Sequence, residues 1–389
     1  MALPMTAREI MQAFARETGL TNPAVSPRRY LWTDAFAVCN FLELYRQSGN
    51  YEDLQLALQL VDQVHETLGK HHPESGKQGW LSGLPDEEAQ RHPTLAGLRI
   101  GKQHNERQPD EPFDEQLEWE RDGQYYHYLT KWMHALSRVA LVTGRSVYQV
   151  WAMELAKTAH AAFVYAPAEG QPKRMFWKMS TDLSRPLVPS MGQHDPLDGL
   201  VTYLQLEAVA TRFHDLPEKL HLDIEIDDLT VMCEGQRWVT QDALGIGGLL
   251  GDAGRLAQLI AIYGMTESRR LQGLLVDSNT SLQAFVAHHP LNLPAAYRLA
   301  FRELGLSIGL HAIDRMKKLL ERYPENFDQP DRIHYRLESL QPYQPLQKEI
   351  ETFWLEPSHR EVNSWIEHAD INNVMLATSL VPEGFLLIT

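Results

Sequence analysis

The stretch Leu31–Gly69, LWTDAFAVCNFLELYRQSGNYEDLQLALQLVDQVHETLG, decides the fold. Its first part, Leu31–Gln47, is apolar on nearly every side, whereas its second part, Tyr51–Gly69, carries apolar residues on one face at helical spacing. A Ser-Gly-Asn turn at residues 48–50 joins the two parts. This contrast predicts a helical hairpin in which the first helix is buried and the second faces outward.

The same pattern recurs to the end of the chain. Five further helix pairs are predicted: Gly123–Thr143 with Ser146–Val164, Pro196–Phe213 with Ile224–Cys233, Asp242–Tyr263 with Ser268–His288, Pro294–Gly309 with His311–Tyr323, and Gln344–Trp354 with Ser358–Leu380. Six hairpins, each with a more apolar first helix, pack as an inner ring inside an outer ring. The sequence therefore predicts an all-α fold, an (α/α)6 toroid of six helical hairpins.

A two-domain helical bundle and an open superhelix of repeats are the alternative architectures. No self-similarity with a period of about 34 to 47 residues is present, which disfavours the superhelix. We expect a single toroid domain over residues 1–389, with an N-terminal helix and lead-in at 1–28 and the six hairpins at 29–389.

Two long connections interrupt the series of hairpins, at Lys70–Asp122 and Tyr165–Asp195. Connections of this length usually carry function, so we interpret them as rims or lids of a site. Within the second connection, Met175–Met179 is either a short strand or an ordinary loop. Gly245–Gly248 has no strand before it, so we interpret it as part of a helix made slim for close packing and not as a nucleotide loop.

Composition excludes several classes of function. The chain has 389 residues, 43% hydrophobic and 22% charged, with a net charge of −15, which is typical of a soluble globular protein. The negative charge, without any Lys/Arg stripe, argues against nucleic acid as a partner. No uncharged apolar stretch reaches about 18 residues, so no membrane span is expected.

The N-terminus and the cysteines bear on location and metals. Met1–Arg16 has no uninterrupted apolar run, because Arg8, Glu9, Gln12 and Arg16 punctuate it. This predicts an amphipathic helix and not a secretion signal, and a cytoplasmic location is expected. Cys39 and Cys233 lie far apart among apolar residues and are expected to be buried thiols. No Cys/His spacing typical of a metal site occurs, and no cofactor is expected.

Polar residues cluster where the buried helices of the predicted toroid begin, and these starts converge on one funnel. The residues concerned are Arg29, Tyr30, Trp32 and Asp34 at the first start, Asp122, Tyr125 and His127 at the second, Gln193, His194, Asp195 and Asp198 at the third, and Asp242 at the fourth. An Asp at a helix start is often only a cap. Converging carboxylates, however, raise one another's pKa, and a raised carboxyl opposite an ionised one is suited to acid and base catalysis at an acetal.

Three of these segments resemble the six-hairpin glycosidase superfamily. They are Arg29–Asp34 (RYLWTD), Asp122–His127 (DGQYYH) and Gln193–Asp198 (QHDPLD). The resemblance extends over nearly the whole chain, from about Arg28 to the C-terminus. It implies a carbohydrate substrate and one of several activities, since the superfamily includes glycoside hydrolases, unsaturated glucuronyl hydrolases and sugar 2-epimerases.

The leading hypothesis is a glycoside hydrolase-like enzyme acting on a carbohydrate or sugar derivative. Asp122 and either Asp195 or Asp198 are its predicted acid and base, with Asp34 as a further catalytic candidate. Substrate contacts are predicted for Arg29, Trp32, Tyr125, His127, Gln193, His194 and Asp242.

Two alternatives stay open. A cofactor-free sugar epimerase or isomerase would use histidines, for which His127, His194 and His288 or His289 are candidates by position. A non-catalytic toroid that binds sugar or serves as a scaffold is the other alternative.

Overall fold

A computed structural model describes residues 5–168 and 171–388, and they are mostly helical. The α-helices of this part of the chain are α1 (Ala7–Glu17), α2 (Leu31–Ser48), α3 (Tyr51–Leu68), α4 (Asp86–Arg91), α5 (Glu115–Glu120), α6 (Tyr126–Thr143), α7 (Ser146–Phe163), α8 (Asp195–Ala210), α9 (Asp223–Cys233), α10 (Ala243–Tyr263), α11 (Ser268–Ala287), α12 (Ala300–Arg322), α13 (Pro330–Leu340), α14 (Pro345–Leu355), α15 (Asn363–Ile366), α16 (Ala369–Leu380) and α17 (Glu383–Leu386). Its short strands are β1 (Gln124–Tyr125), β2 (Val164–Tyr165), β3 (Arg174–Met175), β4 (Lys178–Met179) and β5 (Pro186–Val188).

The chain divides into two compact units. The first unit comprises Ala15–Tyr45 and Asn50–Glu234, and the second comprises Met1–Phe14, Arg46–Gly49 and Gly235–Ile388. The expectation of a single domain over residues 1–389 stays a prediction.

The first four predicted hairpins are present with boundaries close to those expected. The contrast in burial is strong in the first hairpin, where α2 buries 14 of its 18 residues and α3 buries 8 of 18. It is strong again between α8 and α9 and between α10 and α11, and weak between α6 and α7. The periodicity of apolar residues thus identified most of the buried helices correctly.

The fifth predicted hairpin was wrong. Gly309 was interpreted as a turn between two helices, but α12 runs through it without a break from Ala300 to Arg322. Gly309 instead lies against the backbone of Gly247 in α10, where a Cβ would overlap the carbonyl group of Gly247. The glycine therefore permits close helix packing within the second unit, and α13 is the helix that follows α12 in the chain.

The sixth pair has the opposite order of burial from the one predicted. Of the first helix, α14, only Ile350 and Trp354 are buried, whereas α16 buries seven of its twelve residues. Both helices pack on α12. The glycine-rich start of α10 is a slim helix, as expected, because a Cβ on Gly247 would overlap the carbonyl oxygen of Gly305 in α12.

The long connections of the first unit form two small antiparallel sheets. One has the strand order β1-β4-β5, and the other pairs β2 with β3. The helix predicted from Gly123 begins only at Tyr126, since Gln124 and Tyr125 pair with Met179 and Lys178. Met175–Met179 contains the last residue of β3 and the whole of β4, which belong to different sheets. The expectation of a strand is therefore confirmed in part.

Both cysteines are buried thiols, as predicted, and burial raises the pKa of Cys39 to about 12. The amphipathic N-terminal helix is α1, while residues 1–4 of its predicted range lie outside the described residues. None of the described helices combines the length and the apolar character that crossing a membrane requires.

Candidate active site

Two helix starts of the first unit meet at one cluster of titratable side chains. His127 lies in the first turn of α6, and Asp195 begins α8, which packs against α6. The Nδ1 atom of His127 is 3.7 Å from Oδ1 of Asp195. Neither this Nδ1 nor Oδ2 of Asp195 has a hydrogen-bond partner among the described residues. The pair thus holds two buried polar atoms whose hydrogen-bonding capacity the described residues leave unused.

The protonation of this pair is set by burial. Burial and, to a lesser extent, the charge of Asp198 together raise the pKa of Asp195 to about 7, against the opposing charge of Lys131. Burial lowers the pKa of His127, and Lys131 adds to that shift. Both effects disfavour the charged form, so at pH 6 the pair consists mainly of a neutral carboxyl and a neutral imidazole.

Asp198 has a different environment from Asp195, although it lies only three residues further along α8. Its Oδ1 is 2.6 Å from Nζ of Lys131, and its Oδ2 accepts a hydrogen bond from the hydroxyl of Thr130. These bonds stabilise a negative charge on Asp198. That charge lies beside Asp195 and favours the protonated form of the Asp195 carboxyl.

Gly192 covers the Asp195 carboxyl from the side of the preceding loop. The backbone N–H of Asp195 donates to the carbonyl oxygen of Gly192 over 3.3 Å. A Cβ at position 192 would lie 2.5 Å from Oδ2 of Asp195. Any larger residue at position 192 would therefore displace the Asp195 carboxyl from its observed position.

A cluster of aromatic rings adjoins the pair, and we call it the aromatic cluster: Tyr30, Trp119, Tyr125, Tyr128 and Trp177. The Tyr125 ring lies 5.3 Å from His127 and 5.1 Å from Trp177. The Trp177 ring is nearly parallel to the His127 ring, at 6.1 Å and 13°. The hydroxyl groups of Tyr30 and Tyr128 are 2.7 Å apart.

Strand pairing and one glutamine fix the position of this cluster. Tyr125 in β1 is paired with Lys178 in β4, which brings Trp177 beside Tyr125. The side chain of Gln124 donates to the carbonyl oxygens of Ala96 and Thr181 and accepts from the backbone of Leu98. The two long connections are thereby tied to the start of α6.

Asp122, which was predicted to be a catalytic acid or base, is engaged in a buried ion pair with Arg99. Its Oδ1 also accepts hydrogen bonds from the backbone N–H groups of Gly101 and Gly123, over 3.1 and 3.0 Å. The side chain has no exposed surface. These contacts indicate a structural role for Asp122.

The predicted residues of the first helix start are also engaged within the fold. Asp34 lies 3.4 Å from Nη1 of Arg29 and accepts a hydrogen bond from the backbone of Tyr30 over 2.9 Å. Arg29 donates to the carbonyl oxygen of Thr18. Trp32 is 6% exposed and packs on Phe36. Only Tyr30 of this segment reaches the aromatic cluster.

The three other predicted binding residues lie in different settings. Gln193 is exposed and His194 half-buried, both directly before α8 and so beside Asp195 in the chain. Asp242, in the second unit, caps α10 by accepting from the backbone of Gly245 over 2.9 Å and pairs with Arg302 over 2.6 Å. Asp242 is therefore a helix cap, which is the ordinary structural role of an Asp at a helix start.

Lys131 and Lys178 were not identified from the sequence. Lys131 follows His127 by four residues, which places both on one face of α6. That spacing in α6, together with Asp195 and Asp198 three residues apart in α8, is the sequence pattern from which Lys131 could have been predicted as a site residue. Lys178 carries no such local signal because its partner, Glu118, lies 60 residues away.

No group of three or more His, Cys, Asp or Glu side chains within residues 5–168 and 171–388 is arranged to hold a metal ion.

No protein-family model matches the chain, and no curated protein matches it by sequence. Solved structures do match. A GH76 alpha-mannanase from Bacteroides thetaiotaomicron is similar over 98% of this chain and 94% of its own, with a TM-score of 0.52 and 9% identity.

Two cellobiose 2-epimerases are also similar. The enzyme from Spirochaeta thermophila matches 89% of this chain and 98% of its own, with a TM-score of 0.47 and 10% identity. The enzyme from Bacillus thermoamylovorans matches 81% and 75%, with a TM-score of 0.44 and 11% identity. The likeness to the mannanase confirms the predicted fold class, the (α/α)6 toroid, and the resemblance to six-hairpin glycosidase-like proteins at the level of the fold.

Proposed function

We propose that this protein is a carbohydrate-active enzyme in which the Asp195 carboxyl donates a proton to an oxygen of the substrate. The observation that supports this is the pairing of a buried carboxyl of raised pKa with a neutral imidazole, at the edge of the aromatic cluster. A catalytic acid works best when its pKa lies near the working pH, and the pKa of Asp195 is about 7.

The aromatic cluster supports a sugar as the substrate. Sugars present apolar C–H faces that stack on Trp and Tyr rings, while their hydroxyl groups need hydrogen-bonding partners. Trp177 is half-buried and offers ring surface beside His127, and the buried Tyr125 ring packs against both. Asp195 and His127 each hold a polar atom without a partner among the described residues. The likeness to a mannanase makes α-mannosides a reasonable first set of compounds to test.

Glycoside hydrolysis is the first reaction to consider. Asp195 would protonate the glycosidic oxygen, and a second carboxylate would stand about 5 to 9.5 Å away, depending on the stereochemical outcome. Asp198, Asp122 and Asp34 are each engaged in an ion pair. We therefore assign protonation to Asp195 and assign to Asp198 the task of keeping that proton in place, and we assign neither Asp122 nor Asp34 to the reaction.

Epimerisation or isomerisation of a reducing sugar is the second candidate, and the state of His127 favours it. A neutral imidazole with an unpartnered Nδ1 can remove the proton from the carbon next to the carbonyl group of an open-chain sugar. Asp195 would at the same time donate its proton to the carbonyl oxygen. His127 then returns a proton to carbon, on the opposite face of the same carbon for an epimer or on the neighbouring carbon for an isomer. An enediol hydroxyl gives its proton back to Asp195 as the carbonyl group re-forms, so the reaction is complete without a cofactor.

A screen of activity tests the proposal. Wild-type protein and the Asp195→Asn and His127→Gln variants are incubated with 4-nitrophenyl α- and β-glycosides, mannosides included, and with reducing mono- and disaccharides in D2O. Release of nitrophenol indicates hydrolysis, and deuterium at a sugar carbon indicates epimerisation or isomerisation. Asp331→Asn, an exposed aspartate of α13, is the matched control.

We expect wild type and Asp331→Asn to be active in one of the two assays. In that assay Asp195→Asn should lose activity by at least 100-fold, because acid catalysis contributes on the order of 10² to 10⁴. Loss in Asp195→Asn alone supports hydrolysis, whereas loss in both site variants supports proton transfer at carbon. Sugar binding without turnover in either assay would instead support the non-catalytic alternative. Full activity in Asp195→Asn would overturn the assignment.

A further inference from the structure

Trp119 is a large apolar side chain that the fold leaves open to solvent. It lies in α5, and 48% of its surface is exposed. Its ring meets the Trp177 ring edge to face, with centroids 5.0 Å apart. A tryptophan of this exposure contributes little to the core, so its place beside the half-buried Trp177 calls for a different explanation.

The two tryptophans continue the aromatic cluster away from the proposed proton donor. Trp177 stacks on His127, which lies beside Asp195, and Trp119 makes an edge-to-face contact with Trp177. Successive ring contacts of this kind run outward from the Asp195–His127 pair. The exposed ring of Trp119 provides stacking surface beyond what a single sugar ring over Trp177 would use.

A buried ion pair holds both tryptophans in place. Glu118 precedes Trp119 and Lys178 follows Trp177, and Nζ of Lys178 donates to Oε1 of Glu118 over 2.8 Å and to its carbonyl oxygen over 2.7 Å. Arg107 donates to the other carboxylate oxygen of Glu118 over 2.9 Å. The Glu118 and Lys178 side chains are almost fully buried.

Such a pair contributes little net stability, because desolvation opposes the attraction between the charges. It does restrict geometry. The backbone beside each tryptophan is tied to the other, so the two rings are preorganised although one of them is half in water. Preorganised aromatic rings lose little conformational entropy when a ligand stacks on them.

We propose that Trp119 and Trp177 form a second sugar-binding subsite, so that the substrate is an oligosaccharide or longer glycan whose distal unit stacks on Trp119. This inference rests on the proposed function and specifies its substrate class. Trp119 acts in binding and length selection, whereas the proton transfer stays with Asp195.

The test compares sugars of increasing length on a glycan array that carries mono- to tetrasaccharides of mannose, glucose, galactose and N-acetylglucosamine. Labelled wild-type protein, Trp119→Ala, Trp119→Phe and Tyr51→Ala are applied in parallel. Tyr51 is 58% exposed in α3 and is the matched control for loss of an exposed aromatic ring. Apparent Kd values are then measured in solution for the strongest series.

We expect wild-type affinity to rise with chain length in at least one sugar series. Trp119→Ala should weaken binding of the tri- and tetrasaccharides by about 3- to 10-fold and leave the monosaccharide unchanged, the size expected for one aromatic contact. Trp119→Phe should restore most of the loss, and Tyr51→Ala should bind as wild type does.

Two results overturn the inference, and they differ in what they mean for the function. Length-dependent binding that Trp119→Ala leaves intact removes the second subsite and retains the carbohydrate-active enzyme. Absence of binding by wild type to every sugar on the array removes both.

Discussion

Asp195 and His127 stand 3.7 Å apart, from Oδ1 to Nδ1, and burial disfavours the charged form of each. An acid that keeps its proton and a base that lacks one are thus held side by side near neutral pH. Asp198, three residues along the same helix, is kept charged by Lys131 at 2.6 Å.

The pKa of Asp195 should respond in opposite directions to loss of its two charged neighbours. Lys131→Met removes a positive charge that lowers this pKa, so the pKa should rise above 7, whereas Asp198→Asn removes a negative charge that raises it, so the pKa should fall. NMR titration of the Asp195 carboxyl carbon measures both shifts. Because the protonated form is the proposed acid, activity should decline as pH rises through the same value. Shifts of equal sign in the two variants would contradict the proposed electrostatics.

Asp195→Asn should stabilise the fold at alkaline pH. The folded-state pKa of Asp195 is raised from 3.8 to about 7, so its stabilising contribution is complete below pH 4 and is lost as pH rises through 7. Asp195→Asn cannot undergo this loss. The free energy of unfolding of the variant minus that of wild type should therefore be larger at pH 8 than at pH 4 by about 2–4 kcal/mol. Urea unfolding at the two pH values measures it. A difference that does not change with pH would refute the raised pKa.

Asp122→Asn should destabilise the fold at every pH near neutrality. The substitution leaves the buried Arg99 guanidinium without a charged partner, which typically costs about 3–5 kcal/mol. Urea unfolding at pH 7, run beside Asp195→Asn, gives the comparison. A stable Asp122→Asn variant that lacks activity would return Asp122 to the catalytic role that the sequence indicated.

Gly192→Ala should impair the site and spare the fold. The added Cβ would come within 2.5 Å of the Asp195 carboxylate, and that short side chain must move because the backbone on the other side is fixed by α8. We expect activity to fall by 10-fold or more, as misplacement of a catalytic group by about 1 Å typically gives, with a change in thermal midpoint of about 2 °C or less. A loss of activity that only accompanies unfolding would count against this interpretation.

Gly247→Ala and Gly248→Ala should have effects of opposite sign. A Cβ on Gly247 would overlap the backbone of Gly305 in α12, and neither backbone can yield, so we expect a loss of about 3 kcal/mol or more. A Cβ on the exposed Gly248 meets no atom within 4 Å, and alanine favours the helix there by about 0.5–1 kcal/mol. Thermal unfolding of the two variants measures both. Equal effects would mean that α10 and α12 are not in close contact at Gly247.

The sequence by itself determined the helices of the first four hairpins and, within a few residues, where they begin. The spacing of apolar residues in Leu31–Gly69 is a local property, and it predicted the hairpin α2–α3 and the fold class. The segment Gln193–Asp198 likewise identified Asp195 and Asp198 as helix-start carboxylates, because Pro196 and the polar residues around it mark such a start.

Tertiary structure alone decided which carboxylate is engaged and which retains an unpartnered oxygen. Asp122 and Asp195 look alike in sequence, but Arg99 reaches Asp122 across 23 residues, whereas Asp195 is buried beside a neutral imidazole. The same is true of Gly309, which looks like a turn and is a helix contact. Burial and ion pairing depend on segments distant in the chain, and no local pattern encodes which of them will meet.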